Sequence, residues 1–267
     1  MKRTTAILGI DIQNDFTVPS GNLFVKGANS DVIRMAAFMD TFGANIDYVA
    51  LTLDSHQPIH IANQCYWKDN EGYPPALFSV ISAEDVENGR WKPQYNQELA
   101  LPYLKALEEK GEVCMIWPPH CLMGGAGWAV NNIWLRTLYS WSIYYDKTYE
   151  LFFKGTHQAT EHYSALKSMV EYDNAEETKL NTQLLTKLDK FDRILLIGEA
   201  ADYCVVHTLN DLLEYAPHMA EKIVVMTDCM SWIDPNNEWA KEKFEAAYKK
   251  GVKHITTKEY YSILDNN

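Results

Sequence analysis

Residues of the types that do chemistry stand in this sequence just after short apolar runs. Asp11 closes the first run, with Gln13, Asp15 and Phe16 behind it. Asp54, Ser55 and His56 close the second, with His60 beyond; Trp117, Pro118, Pro119, His120 and Cys121 close the third. Lys154 and Gly155 follow the fourth, and Cys204 stands in GEAADYCVV after the fifth. A thiol is a nucleophile, a carboxylate can take and return its proton, and an ammonium can hold that carboxylate in place. Asp54 and His56 lie two residues apart, so on an extended backbone both side chains point the same way. With His120 they form a set of two imidazoles and one carboxylate that suits zinc, or less selectively Fe²⁺ or Mn²⁺. His60 is a further candidate ligand, although a loop histidine is the simpler account. Each residue also has a bland reading: a strand-end Asp is a common turn former, a lone His is commonly hydrogen-bonded core or surface, Lys154 can be a solvated loop lysine, and Cys204 can be buried filling. Their coincidence at one edge of one sheet is what points to a site.

The elements that must position these groups are legible as a rhythm. Apolar runs rich in Val, Ile and Leu fall at 6–12, 47–53, 112–117, 148–153, 192–198 and 222–228. They are short and continuous rather than alternating, which suits strands buried on both faces. Amphipathic, helix-length stretches lie near 29–42, 128–142, 177–190, 203–215 and 235–250. The alternation predicts an α/β fold, a three-layer α/β/α arrangement on a parallel sheet of about six strands. In such sheets ligands bind outside the carboxyl ends of the strands. Residues 61–112 break the rhythm with Gly72, Pro74, Pro75, Gly89, Pro93 and several aromatics, and show a helical period only at about 96–109. A segment of that length inside a compact domain is read as a lid-like insertion over the active-site edge, within one domain covering 1–267; a decorative surface insertion is the alternative.

Composition narrows the function. The 267 residues carry 36 acidic side chains against 24 Lys plus Arg, a net charge of −12 that argues against nucleic acid and anionic membrane as partners. No apolar run approaches the ~20 residues of a membrane-spanning helix. MKRTTAILGID has the basic start of a signal peptide, but Asp11, Gln13 and Asp15 stop its apolar stretch with no cleavage pattern behind it. The five cysteines are at neither zinc-ribbon nor redox spacing and read as reduced thiols. A soluble, cytoplasmic protein is expected.

The blocks IDIQNDF (10–16), GNLFVKGA (21–28), LDSH (53–56), WPPHC (117–121), FKGT (153–156) and DYCV (202–205) resemble the isochorismatase-like cysteine hydrolases, and within them the nicotinamidase branch. They occur in the family's order and nearly span the chain. The resemblance implies a catalytic triad of Cys204, Asp11 and Lys154, and an oxyanion hole from backbone N–H groups around Ala200 and Cys204. It also implies a cis peptide at Glu199–Ala200 and a ring-packing role for Phe16. Asp54, His56 and His120 match the branch's metal ligands, and the metal is implied to position a substrate's ring nitrogen rather than to activate water. Tyr203, Trp67 and Trp91 are further candidates for the pocket wall, a structural role being the simpler reading of each. The implied reaction is hydrolysis of nicotinamide to nicotinate and ammonia through a thioester. The alternatives are a related amidase for another aromatic or heterocyclic amide, or a binding protein on the same scaffold. Three features depart from the pattern: Ser55 stands where an aromatic is usual, 61–112 is long, and an aromatic helix follows WPPHC. That helix, WAVNNIWLRTLYSW (128–141), has more large apolar groups than one buried face needs, and a homo-oligomer is expected. An activated Cys204 is expected to alkylate below pH 8.5 and ahead of the other thiols.

Overall fold

A computed structural model of the chain describes residues 3–264. Its centre is a six-stranded sheet in which every neighbouring pair is parallel. The strands are β1 (Thr5–Ile10), β2 (Tyr48–Asp54), β3 (Tyr149–Lys154), β4 (Arg193–Gly198), β5 (Ile223–Met226) and β6 (Lys253–Ile255). Their spatial order is β6-β5-β4-β1-β2-β3. The order reverses between β1 and β4, and a doubly wound sheet opens a crevice at such a reversal, beyond the strands' carboxyl ends. Asp11 and Cys204 follow those two strands.

Side chains alternate between two cores. Ile7, Val49, Leu51, Leu195 and Val224 face α1 (Ala28–Phe42), through Val32, Met35 and Phe38, and α3 (Asn132–Tyr145), through Trp134, Leu138 and Trp141. Ala6, Leu8, Ala50, Leu196 and Val225 face the other layer, built from α2 (Gln97–Glu109), α4 (Thr182–Leu188), α5 (Val206–Tyr215) and α6 (Glu238–Lys249). Three helices start where an asparagine carbonyl accepts a free N–H of the first turn: Asn131 from Ile133, Asn181 from Leu184, and Asn237 from Ala240. Ile61, Tyr66, Trp67, Ala100, Tyr103 and Leu104 join the second core, so the 61–112 segment packs directly on the sheet's helical layer. Among the described residues no helix is long and apolar enough to cross a membrane. Met1 and Lys2, where the leader-like segment begins, lie outside the described residues.

One strand differs from expectation. The run at 112–117 does not enter the sheet: Cys114 and Met115 pair antiparallel with Ile81 and Val80 in a two-stranded ribbon. The sixth strand is instead Lys253–Ile255, short and on the sheet's edge. Its side chains are exposed or half-buried, so it lacks the apolar signature of a strand covered on both faces.

Candidate active site

Asp11 is the first residue beyond β1 and adopts a left-handed conformation, φ 48°. That region is uncommon for residues with a Cβ and persists where neighbours enforce it. Thr52 of β2 does so: its carbonyl and hydroxyl accept the Asp11 N–H at 3.2 and 3.1 Å, and its hydroxyl donates to Asp11 Oδ1 at 2.6 Å. The Gln13 side chain brackets the end of β2, donating to Asp54 O and accepting from Asp54 N, both at 2.8 Å. The β2–β3 register then pairs Asp54 with Lys154. Gly155 turns the chain away at φ +73°, and a Cβ there would stand 2.6 Å from Asp54 Oδ1. Cys204 lies in a π-helical turn, Ala201–Val205, that runs into α5, a distortion frequent at functional sites. The Glu199–Ala200 peptide before it is cis. The Ala200 N–H has no acceptor among the described residues.

These elements converge on one amine. Lys154 Nζ is 2.9 Å from Asp11 Oδ2, 3.1 Å from Asp54 Oδ1 and 3.5 Å from Cys204 Sγ, and it also donates to His162 O at 2.9 Å. All four side chains are buried. Burial alone would lower the Lys154 amine, but Asp11 and Asp54 hold it well above its ordinary range, so it is an ammonium. Asp11 is raised by burial against the pull of Lys154, and Asp54 adds to the rise. Asp54 goes the other way: burial is outweighed by His56 and Lys154, which keep it ionised. Cys204 is raised well above an ordinary thiol, because burial outweighs Lys154 and Asp11 accepts the thiol's hydrogen bond. The expected activated thiolate is therefore corrected to a resting thiol. Cys65 is the exposed cysteine among the five, whereas Cys204 is buried, so Cys65 is the thiol more open to an alkylating reagent.

Beside the amine lies a ligand set. Donor atoms of Asp54, His56 and His120 lie within 4.8 Å of one another, all buried. His56 Nε2 and His120 Nε2 approach the same oxygen, Asp54 Oδ2, at 2.8 and 3.3 Å. Their other nitrogens are engaged by carbonyls, His56 Nδ1 with Gly155 O at 3.1 Å and His120 Nδ1 with Pro118 O at 2.8 Å. Donation from Nδ1–H to those carbonyls aims both Nε2 atoms at the Asp54 carboxylate, the orientation that metal-ligating histidines require once Nε2 has given up its proton. The donor set fits a divalent ion. His60 stands apart: Thr160 O and the Ala62 N–H occupy both of its ring nitrogens, at 3.2 and 3.3 Å. It belongs to a second trio with His56 and Glu161.

A cavity opens over Cys204, His120 and Asp54, walled by Phe16, Leu23, Trp117, Tyr163, Tyr203 and Ile233. Phe16 meets the His120 ring edge-on at 5.3 Å, and Tyr203 meets Trp117 at 5.1 Å. A wider surface groove between Met39 and Tyr144 contains none of the triad or ligand residues.

No family model matches the chain. A curated nicotinamidase from Escherichia coli (strain K12) is 25% identical over 223 residues, 84% of this chain and 81% of that protein. A nicotinamidase/pyrazinamidase structure from Acinetobacter baumanii matches with TM-score 0.66 at 22% identity, over 97% of this chain and 98% of that one. A pyrazinamidase of Pyrococcus horikoshii in complex with zinc (TM-score 0.53, 16% identity, 94% and 98% coverage) and an isochorismatase-like hydrolase from Alkaliphilus metalliredigens (0.55, 15%, 98% and 100%) share the fold. In sequence the chain is similar to a nicotinamidase, and its fold is that of the isochorismatase-like hydrolases.

In this hydrolase several site residues were invisible from sequence. Thr52 and the His162 carbonyl steady Asp11 and Lys154, yet Thr52 reads as one more residue of the strand before LDSH, and His162 lies in an irregular stretch with no motif around it. Glu161 and Ile233 reach the cavity from irregular segments. Glu161 follows the FKGT block by five residues, and its acidic type was the available signal. Trp67 and Trp91 are not in the wall: Trp67 is core, donating to Ile61 O at 2.7 Å, and Trp91 packs on that core from outside. The departures at Ser55 and in the aromatic stretch account for each other, since Trp128 Nε1 donates to Ser55 Oγ at 2.8 Å.

Proposed function

We propose that this hydrolase converts nicotinamide to nicotinate and ammonia, with Cys204 as nucleophile, Asp11 as acid and base, and Lys154 as the cation that organises both. The observation that carries the reading is the position of Lys154 Nζ, within 3.5 Å of Asp11, Asp54 and Cys204 Sγ, which couples the reacting groups to the ligand set. Cys204 Sγ attacks the carboxamide carbon as its proton passes to Asp11, forming a tetrahedral oxyanion beside the Ala200 and Cys204 N–H groups. Asp11 returns that proton to the nitrogen as the C–N bond breaks, releasing ammonia and leaving a thioester. Water then attacks the thioester carbonyl with Asp11 as base, and the thiol leaves with nicotinate.

Asp54, His56 and His120 are the residues that would hold a divalent ion, zinc by the chemistry of the set, and when bound it would offer a Lewis-acid contact to the ring nitrogen. Phe16 and Tyr203, which line the same cavity as Cys204, would pack against the ring. The same reading takes 1–267 as one hydrolase domain, with 61–112 covering the active-site edge; Phe78 of that segment meets Trp117 of the wall at 6.0 Å. Five free cysteines suit a reducing, cytoplasmic setting. Exposed Tyr139, Ile143 and Tyr144 on α3 support a homo-oligomer, which light scattering at micromolar concentration would test.

The deciding experiment is ammonia release from a panel of small amides. Nicotinamide should be hydrolysed, with activity lost in Asp54→Ala and His120→Ala together with bound metal by elemental analysis. Turnover of non-heterocyclic amides by metal-free protein, with nicotinamide inert, would overturn the assignment.

A further inference from the structure

Behind the loop that carries Ala200 and Cys204, two carboxyls are buried against each other. Asp31 of α1 and Glu199 are 1% and 0% exposed. Ser231 joins them: its N–H donates to Glu199 Oε2 at 3.0 Å and its hydroxyl donates to Asp31 Oδ2. Asp31 Oδ1 pairs with Arg34, whose Nε donates to Asp228 O. The remaining atom, Glu199 Oε1, has no donor among the described residues and faces the Asp31 carboxyl. Two acceptors cannot satisfy each other in a buried site; one proton between them can. The proton is assigned to Glu199, since it is Asp31 that pairs with Arg34 and stands in the first turn of α1, at the positive end of the helix dipole. Burial and Asp31 also push Glu199 well above an ordinary carboxyl. The Cys229 thiol, itself raised by burial, and the neighbouring Asp228 carboxylate, which accepts from Thr257, also stand beside the cluster.

The cluster reaches the reacting loop through the backbone. Ser231 O accepts the Ala201 N–H at 2.8 Å, and the Asp202 carboxylate accepts from Ile233 N and Asp234 N, both at 2.9 Å. The segment 231–234 is thus fastened to both sides of Ala201, and it delivers Ile233 to the cavity wall. Gly27 allows the approach of α1: at φ +109° a Cβ there would lie 2.4 Å from Ser231 Oγ.

We propose that Glu199 is held as the neutral acid and, through Ser231, is a positioning residue that sets the Ala200–Cys204 loop for acyl transfer. The proposal rests on the amidase reading for its kinetic arm but not for its spectroscopic one. Glu199→Gln keeps a donor toward Asp31 and an acceptor for Ser231. It should retain wild-type kcat and KM, and should remove one carboxylic-acid C=O band from the infrared spectrum at pH 7. Glu199→Leu strands the Ser231 N–H, and kcat should fall roughly 10- to 100-fold with KM within about twofold, as expected for a displaced reacting group. Asp31→Asn removes the carboxylate partner while burial remains, so the Glu199 band should persist but shift in frequency as its hydrogen bond changes; this arm stands even where the Leu variant does not fold. A Glu199 already ionised in the wild type at pH 7, or a Gln variant as impaired as the Leu variant, would overturn the proposal. If the wild type released no ammonia from any amide, the functional reading would fall. The proposal would then be decided by the infrared band and by the Cys204 alkylation rate, which Leu should change and Gln should not.

Discussion

Replacing Lys154 by methionine keeps the length of the side chain and removes the charge that three groups share. In the wild type, Nζ lies 2.9 Å from Asp11 and 3.1 Å from Asp54, with both carboxylates at 5% exposure or less. Breaking a buried pair by removing one partner costs about 3–5 kcal/mol, because the orphaned charge stays buried. At about 2–4 °C per kcal/mol for a chain of this size, Lys154→Met should melt roughly 6–20 °C below the wild type at pH 7. The pH dependence gives a sharper signature. Without the ammonium, Asp11 keeps only the Thr52 hydrogen bond to lower it, against burial and Asp54, which raise it above its unfolded value. A carboxyl raised in the folded state binds a proton that the unfolded chain releases, so the variant gains stability as pH falls from 8 toward 5. Thermal melts of both proteins across that range should show the gap narrowing toward pH 5, and ammonia release should be abolished at every pH. A gap under 2 °C at pH 7, or one that does not change with pH, would refute the idea that Lys154 is the counter-charge for two buried carboxylates.

Other consequences follow from the same geometry. His56 is pulled down by burial but raised overall to about 9 by Asp54, so the metal-free site holds a proton that an ion must displace. Zinc affinity measured by competition should therefore rise about tenfold per pH unit between pH 6 and 8, with one proton released per ion. Thr52→Val removes the 2.6 Å hydrogen bond to Asp11 with little change of shape. Because a hydrogen bond to a charged group is worth about 1.5–3 kcal/mol, kcat should drop roughly tenfold or more while KM holds. Iodoacetamide at pH 7, followed by peptide mapping, should label exposed Cys65 before buried Cys204; first labelling at Cys204 would show a resting thiolate after all.

Sequence carried the architecture where burial on both faces writes continuous apolar runs, as at TAILGI and RILLIG, whose residues are all buried. It misled at 112–117, where similar composition serves a ribbon, and it missed Lys253–Ile255, whose edge position leaves no apolar imprint. Asp11, Lys154 and Cys204 were legible because strand ends in a parallel sheet converge on one crevice. Thr52, Glu161, Ile233 and the Asp31–Ser231–Glu199 cluster were not. Each acts through a contact between segments far apart in the chain, such as Ser231 to Asp31 across 200 positions. The thiol's state was misjudged for a related reason: a sequence shows a nearby cation and helix but not the depth of burial that outweighs them.

The proposed reaction runs through an acyl group on Cys204. Mixing the metal-loaded enzyme with nicotinamide, quenching in acid within one turnover, and mapping peptides by mass should find one nicotinoyl group on the peptide containing Cys204. It should be removable by hydroxylamine and absent in Cys204→Ala, which releases no ammonia. Ammonia release by the Cys204→Ala variant at the wild-type rate, with no acyl group on any cysteine, would contradict it.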